Sequence, residues 1–164
     1  MPITLRRAGP RDLPALFAIR TAVRENAMDR AALAAAGVTP AAVAAALRGP
    51  CAAWLALRGR RPLGFAMARA REGDVFALFV RPGAEGRGLG SRLLAEAESW
   101  LAARGVGEGW LLTGNEPGLR ARGFYRARGW VERGREEDGQ ILLTRDLRRR
   151  GPGRRGRARL ARPG

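Results

Sequence analysis

The chain has 164 residues and a formal net charge of +16 at pH 7, a length that suits one domain with a real core, burying about two-thirds of the unfolded chain's surface. It holds one cysteine and no histidine, which excludes an intramolecular disulfide, a cysteine-based zinc cluster and every Ser-His or Cys-His mechanism. Any general base must be Asp, Glu, the single tyrosine Tyr125 or water. No run approaches the ~18 apolar residues of a membrane span and the N-terminus lacks an apolar signal core, so a cytoplasmic protein without a membrane partner is expected.

All 31 basic residues are arginine. Eight of them fall in residues 148–164, which contain no acid, whereas residues 1–147 carry 23 Arg against 15 acids. The preference for Arg over Lys, with abundant Ala and Gly, matches a GC-rich coding sequence and accounts for part of the basicity.

In chain order, Ile3 to Arg6 predicts a short strand. Pro10-Arg11-Asp12 starts a helix whose apolar positions, Leu13, Leu16, Phe17, Ile19 and Val23, fit a helical stripe. Thr39-Pro40 starts a second helix that stops at Gly49-Pro50. Ala53 to Leu57 and Leu63 to Ala68 read as a hairpin around Gly59-Arg60-Arg61-Pro62. Val75 to Val80 reads as a buried strand. A helix after Gly90 presents Leu93, Leu94, Ala97, Trp100 and Leu101 on one face and ends at Gly105. Trp110 to Thr113 is a strand and Leu119 to Arg128 a helix. A final hairpin runs from Trp130 to the strand Gln140–Thr144.

The order β-α-α-β-β-β-α-β-α-β-β mixes helices and strands in one core, so the fold class is α/β (α+β) with a mostly antiparallel sheet. Residues 1–147 form the expected domain. Residues 148–164 cannot bury a core and are expected to be a disordered Arg-rich tail.

Arg81-Pro82-Gly83-Ala84-Glu85-Gly86-Arg87-Gly88-Leu89-Gly90-Ser91 links a strand to a helix. A helix start leaves N–H groups unpaired, and glycine lets a ligand approach them, so this pattern suits an anion. Arg87 and Arg92 flank the turn, while Glu96 and Glu98 come later. A Walker loop is excluded because the chain has no lysine, and the GxGxG spacing of Gly86, Gly88 and Gly90 is not the Rossmann GxGxxG. From spacing alone, an ordinary βα loop stays open.

The stretch Ala77 to Leu94 resembles the acyl-CoA-binding motif of the GNAT superfamily of N-acetyltransferases, Gln/Arg-x-x-Gly-x-Gly/Ala between the fourth strand and the third helix. Gly88 and Gly90 match its glycines, while Glu85 stands at the Gln/Arg position. Arg120 to Trp130 is similar to the family's RAxxFYxxxGW/F ending. The resemblance spans residues 3–147 and implies acetyl transfer from acetyl-CoA, as acyl-donor co-substrate, to a primary amine in a ternary complex, with no metal. It implies coenzyme contacts from the backbone of Leu78, Phe79 and Val80, and from Glu85, Gly86, Arg87, Gly88, Leu89, Gly90 and Ser91. Arg87 is the candidate to supply the charge that Glu85 does not.

By the same resemblance Tyr125 is the proton donor to the departing thiolate, against a reading as a packed helix aromatic. Asp74, at the start of the fourth strand, is a candidate base or a plain turn residue. Glu25, with Asn26, borders the implied acceptor pocket or is a solvated helix end. Asn115 hydrogen-bonds the coenzyme or is a turn asparagine. Of Trp54, Phe65 and Trp110, one is a candidate to line the acceptor site, and Cys51 is expected to be buried and inert. The acceptor is a small-molecule or peptide amine, and a homodimer fits the family. The alternative is a basic protein that binds nucleic acid through the tail, where charge favours phosphates but interleaved aromatics are lacking.

Overall fold

A computed structural model describes residues 1–116 and 120–148. Its strands are β1 (Ile3–Ala8), β2 (Cys51–Arg58), β3 (Arg61–Arg69), β4 (Asp74–Val80), β5 (Glu108–Thr113), β6 (Val131–Arg135) and β7 (Ile141–Asp146). Its helices are α1 (Leu13–Ala22), α2 (Arg30–Ala35), α3 (Pro40–Arg48), α4 (Leu89–Ala103) and α5 (Ala121–Ala127). Among these residues no helix is long and apolar enough to cross a membrane.

The expected α/β architecture is present, with differences of detail. Pro10–Asp12 forms a 3-10 turn before α1 rather than its first turn. The Asp12 carboxylate explains it: Asp12 accepts from the Gly9 N–H (2.9 Å) and from both terminal nitrogens of Arg6 (2.9 and 3.0 Å), holding the chain in a tight turn. Helix α2 is absent from the sequence-based expectation. It has six residues and no apolar stripe; its start is fixed by the Asp29 side chain, which accepts from the Ala32 N–H (2.8 Å). The last helix begins at Ala121, and the expected start at Leu119 lies outside the described residues. So does the expected tail beyond Arg148.

The seven strands form one sheet in the order β1-β2-β3-β4-β5-β7-β6. Every neighbouring pair is antiparallel except β4 and β5. Side chains alternate across the sheet as the strand period requires. Trp54, Ala66 and Leu78 face one core with Leu93, Leu94, Ala97 and Leu101 of α4. Leu55, Phe65, Met67 and Phe79 face a second core with Leu16 and Ile19 of α1 and Val43 of α3.

Helices α4 and α5 end in the same way. At α4 the Val106 N–H reaches Leu101 O and the Gly105 N–H reaches Ala102 O; at α5 the Trp130 N–H reaches Tyr125 O and the Gly129 N–H reaches Arg126 O. Gly105 (φ 85°) and Gly129 (φ 91°) are left-handed, the conformation this 6→1 and 5→2 ending requires. The second turn drives Trp130 into the core, 2% exposed, where its indole N–H donates to Glu98 (2.9 Å). Arg145 holds the other oxygen of Glu98 (2.8 Å), fastening α4 to the β6–β7 side of the sheet.

Candidate active site

The site begins with a defect in the sheet. Against β3, Met67 pairs with Ala77 and Ala68 with Val75, so Phe76 is an extra, bulged residue in β4. A bulge bends its strand and re-aims the side chains and backbone groups beyond it. Strands β4 and β5 accordingly register only at Asp74 and Trp110. Past that point they part, leaving the second half of β4 without a strand on that side.

The Arg81 N–H donates to Leu63 O on β3 (2.7 Å). Alternation puts the Phe79 N–H on the same side and turns the Leu78 and Val80 N–H groups into the gap. Of the three residues expected to offer backbone to a ligand, Leu78 and Val80 are the two whose N–H groups face the gap. Phe79 gives its backbone to β3, and its ring packs on Phe65.

Two cavities meet at this gap. The larger, about 900 Å³, lies among the loop after α1, the outer half of β4 and the end of β5, with Glu25, Asn26, Leu78, Thr113, Tyr125 and Gln140 in its wall. The narrower, about 290 Å³, runs from Leu78 and Val80 to the start of α4, with Gly86, Gly88, Gly90 and Ser91 on one side and Phe124 and Arg128 on the other. Tyr125 lines both.

The narrow cavity has the chemistry of an anion site. Gly83, Gly86 and Gly88 all have positive φ (88°, 75° and 74°), which folds the loop back so that Gly88 caps α4. The first helical bond is from the Arg92 N–H to Gly88 O, so the N–H groups of Leu89, Gly90 and Ser91 precede it. No acid stands in the first turn. Leu89 is buried (2% exposed) and lines the narrow cavity at the start of α4. Arg128 places a cation beside these amides through the Ser91 hydroxyl. Arg87 is exposed and lines neither cavity. Arg128 lies over the Phe124 ring, donates to Phe124 O (3.0 Å) and donates to the Ser91 hydroxyl.

Tyr125 is buried, edge-on to Phe124 and Trp130. Burial raises its pKa well above the ordinary phenol value, because the phenolate would lose its water. The phenol therefore keeps its proton at neutral pH.

Glu25 and Glu85 both reach the meeting point of the cavities and share a partner. Arg120 donates from Nε to Glu25 (3.1 Å) and from a terminal nitrogen to Glu85 (2.9 Å). The unfavourable charge of Glu85 in the glycine loop is thus offset by an arginine 35 residues away.

Two expected site residues lie elsewhere. Asp74, at the far end of β4, is 2% exposed and is gripped at both oxygens by Arg69 (2.9 and 2.6 Å). It lines neither cavity, and the Arg69 grip gives Asp74 a structural role at that end of the strand. Asn115 accepts from Arg122 (2.7 Å), which also pairs with Glu132, and is drawn out of the cavity walls. Trp54 and Phe65 are core residues, and the Trp110 indole donates to Glu72 O (2.8 Å) away from the cleft. Cys51 is buried, with its thiol pKa raised by burial. Arg120 is the first residue of the RAxxFY match, whereas Arg128 carries no distinguishing signal in the sequence, because one arginine does not stand out among 31.

Comparison with known proteins places the chain in a family and a fold. The Acetyltransferase (GNAT) family model matches residues 20–130. The chain belongs to that acetyltransferase family. No curated protein matches the sequence significantly. Among solved structures, the chain is similar to the PaiA N-acetyltransferase of Thermoplasma acidophilum in complex with coenzyme A, with TM-score 0.76 and 15% identity over 89% of this chain and 99% of that one. It is also similar to the ribosomal-protein-S18-alanine N-acetyltransferase of Escherichia coli, with TM-score 0.71 and 18% identity over 93% of this chain and 98% of that one. A GNAT acetyltransferase of Staphylococcus aureus Mu50 aligns with TM-score 0.72 and 15% identity, covering 90% and 100% of the two chains.

Proposed function

We propose that the protein is an acetyl-CoA-dependent N-acetyltransferase that moves an acetyl group to a primary amine directly, with both substrates bound. The carrying observation is that Tyr125 stands where the anion-type groove meets the larger cleft, opposite the open edge of β4. Coenzyme A brings an acyl thioester and a pyrophosphate. The residues present fit both: the Leu89, Gly90 and Ser91 amides with Arg128 for the pyrophosphate, and the Leu78 and Val80 edge for the pantetheine and the acyl carbonyl.

In this reading a β4 N–H donates to the acyl oxygen as charge gathers on it. The Tyr125 phenol delivers its proton to the sulfur as the C–S bond breaks. Glu25 is the carboxylate of the larger cleft that receives the ammonium of the acceptor; water carries away one proton, the free amine forms the N–C bond as the C–S bond breaks, and its second proton returns through water to the Tyr125 oxygen. Holding both reactants in one gap contributes about 7–11 kcal/mol toward the barrier through orientation alone.

Residues 1–147 are proposed to suffice for this chemistry. The experiment is thiol release from acetyl-CoA against a panel of small amines and peptides. Release that depends on an amine supports the reading, and a chain that binds coenzyme A but acetylates no amine contradicts it.

A further inference from the structure

Tyr125 is not the only group at the meeting of the two cavities. Arg120, Glu25 and Glu85 each line both as well. One guanidinium there joins three separate segments: the loop after α1 through Glu25, the glycine loop through Glu85, and its own position at the start of α5. Glu85 sits in a loop whose amides favour an anion, and alone it would repel one. Glu25 stands on the opposite side, next to Asn26, whose left-handed backbone (φ 55°) turns the loop into the larger cleft.

We propose that Arg120 is a counter-ion shared by the two sites: arrival of the anionic coenzyme draws its guanidinium from Glu25, leaving that carboxylate unpaired toward the acceptor cleft. The proposal rests on the coenzyme reading of the narrow groove. Side-chain exposures of 66% for Arg120, 42% for Glu25 and 41% for Glu85 place the three groups in solvent contact. Such pairs are weak and exchange readily, which a hand-over requires. Arg128, at the other end of α5, is tied to Ser91 and Phe124 O and cannot make the exchange in its place. The coupling is reciprocal. A cation that occupies Glu25 frees Arg120 for the pyrophosphate and tightens the coenzyme by the same factor.

The test is calorimetric titration of coenzyme A into the full chain and three variants. Glu25→Gln removes a competitor for Arg120 and is expected to bind about threefold tighter, the scale of an exposed pair. Arg120→Gln exposes Glu85 to the pyrophosphate and is expected to bind about tenfold weaker. The Arg120→Gln/Glu85→Gln double variant is expected to recover most of that loss. Structural damage would not produce the gain or the rescue. In the wild type, the Arg120 Nε–H resonance, assigned by its loss in Arg120→Gln, should shift on addition of coenzyme A. A wild type that binds while Glu25→Gln is no tighter and Arg120→Gln no weaker overturns the shared counter-ion alone. A wild type that does not bind coenzyme A overturns the groove reading and this proposal together.

Discussion

Gly90 of the glycine loop lies against the ring of Phe124, so that a Cβ at Gly90 would sit 3.2 Å from two of its ring carbons. The two sequence motifs are thus one packed unit, and Tyr125 is the next residue along. Gly90→Ala gains about 1 kcal/mol of helix propensity and loses a similar amount to crowding. Its stability in urea should therefore stay close to wild type. Coenzyme A affinity, measured by titration, should fall about tenfold, because Phe124 walls the groove.

Tyr125→Phe keeps the packing against Phe124 and Trp130 and removes only the hydroxyl. Steady-state kinetics should show kcat lower by about 10²–10³-fold with coenzyme A affinity unchanged. Equal kcat in the variant would assign the proton to water.

The raised pKa of Tyr125 sets two pH profiles. The group is neutral in both folded and unfolded chains below the ordinary value of 10.0. Above it the unfolded chain loses its proton first, so stability contributed by this group is full below pH 10 and declines as pH rises further. Urea midpoints from pH 7 to 11 should fall at the alkaline end in wild type, and less in Tyr125→Phe. The kcat profile should show no loss from phenol ionisation up to pH 10.

Asp74→Asn separates a structural carboxylate from a catalytic one. It breaks the grip of Arg69 at a buried position and should cost about 1–3 kcal/mol in urea unfolding. Its kcat at a temperature where it is folded should match wild type. A loss of 10²-fold would restore Asp74 as a base.

Much of the fold is legible in the sequence because its signals are local. Gly105 and Gly129 announce left-handed helix ends, and the glycines at 83, 86 and 88 supply positive φ where a loop must fold back over a helix start. The features that escape a sequence reading depend on register and distance. Whether Phe79 or its neighbours face the gap is decided by the bulge at Phe76 and the partner chosen by β4. Asp74 stands at the end of β4 away from the two cavities, and which end opens is a property of the sheet. The pairing of Arg120 with Glu25 spans 95 residues and leaves no local pattern. Helix α2 depends on a single cap, too short a signal to rise above an alanine-rich stretch.

In the proposed function the glycine loop and the open edge of β4 hold an acyl coenzyme A beside Tyr125. Thermal unfolding with acetyl-CoA, with ATP as a polyanion control, tests it most directly. A ligand at a hundred times its dissociation constant stabilises by about 2.7 kcal/mol, which raises Tm by about 2–8 °C. A rise of that size with acetyl-CoA, and little with ATP, is the expected result. Equal shifts with the two ligands, or none with acetyl-CoA, would contradict it.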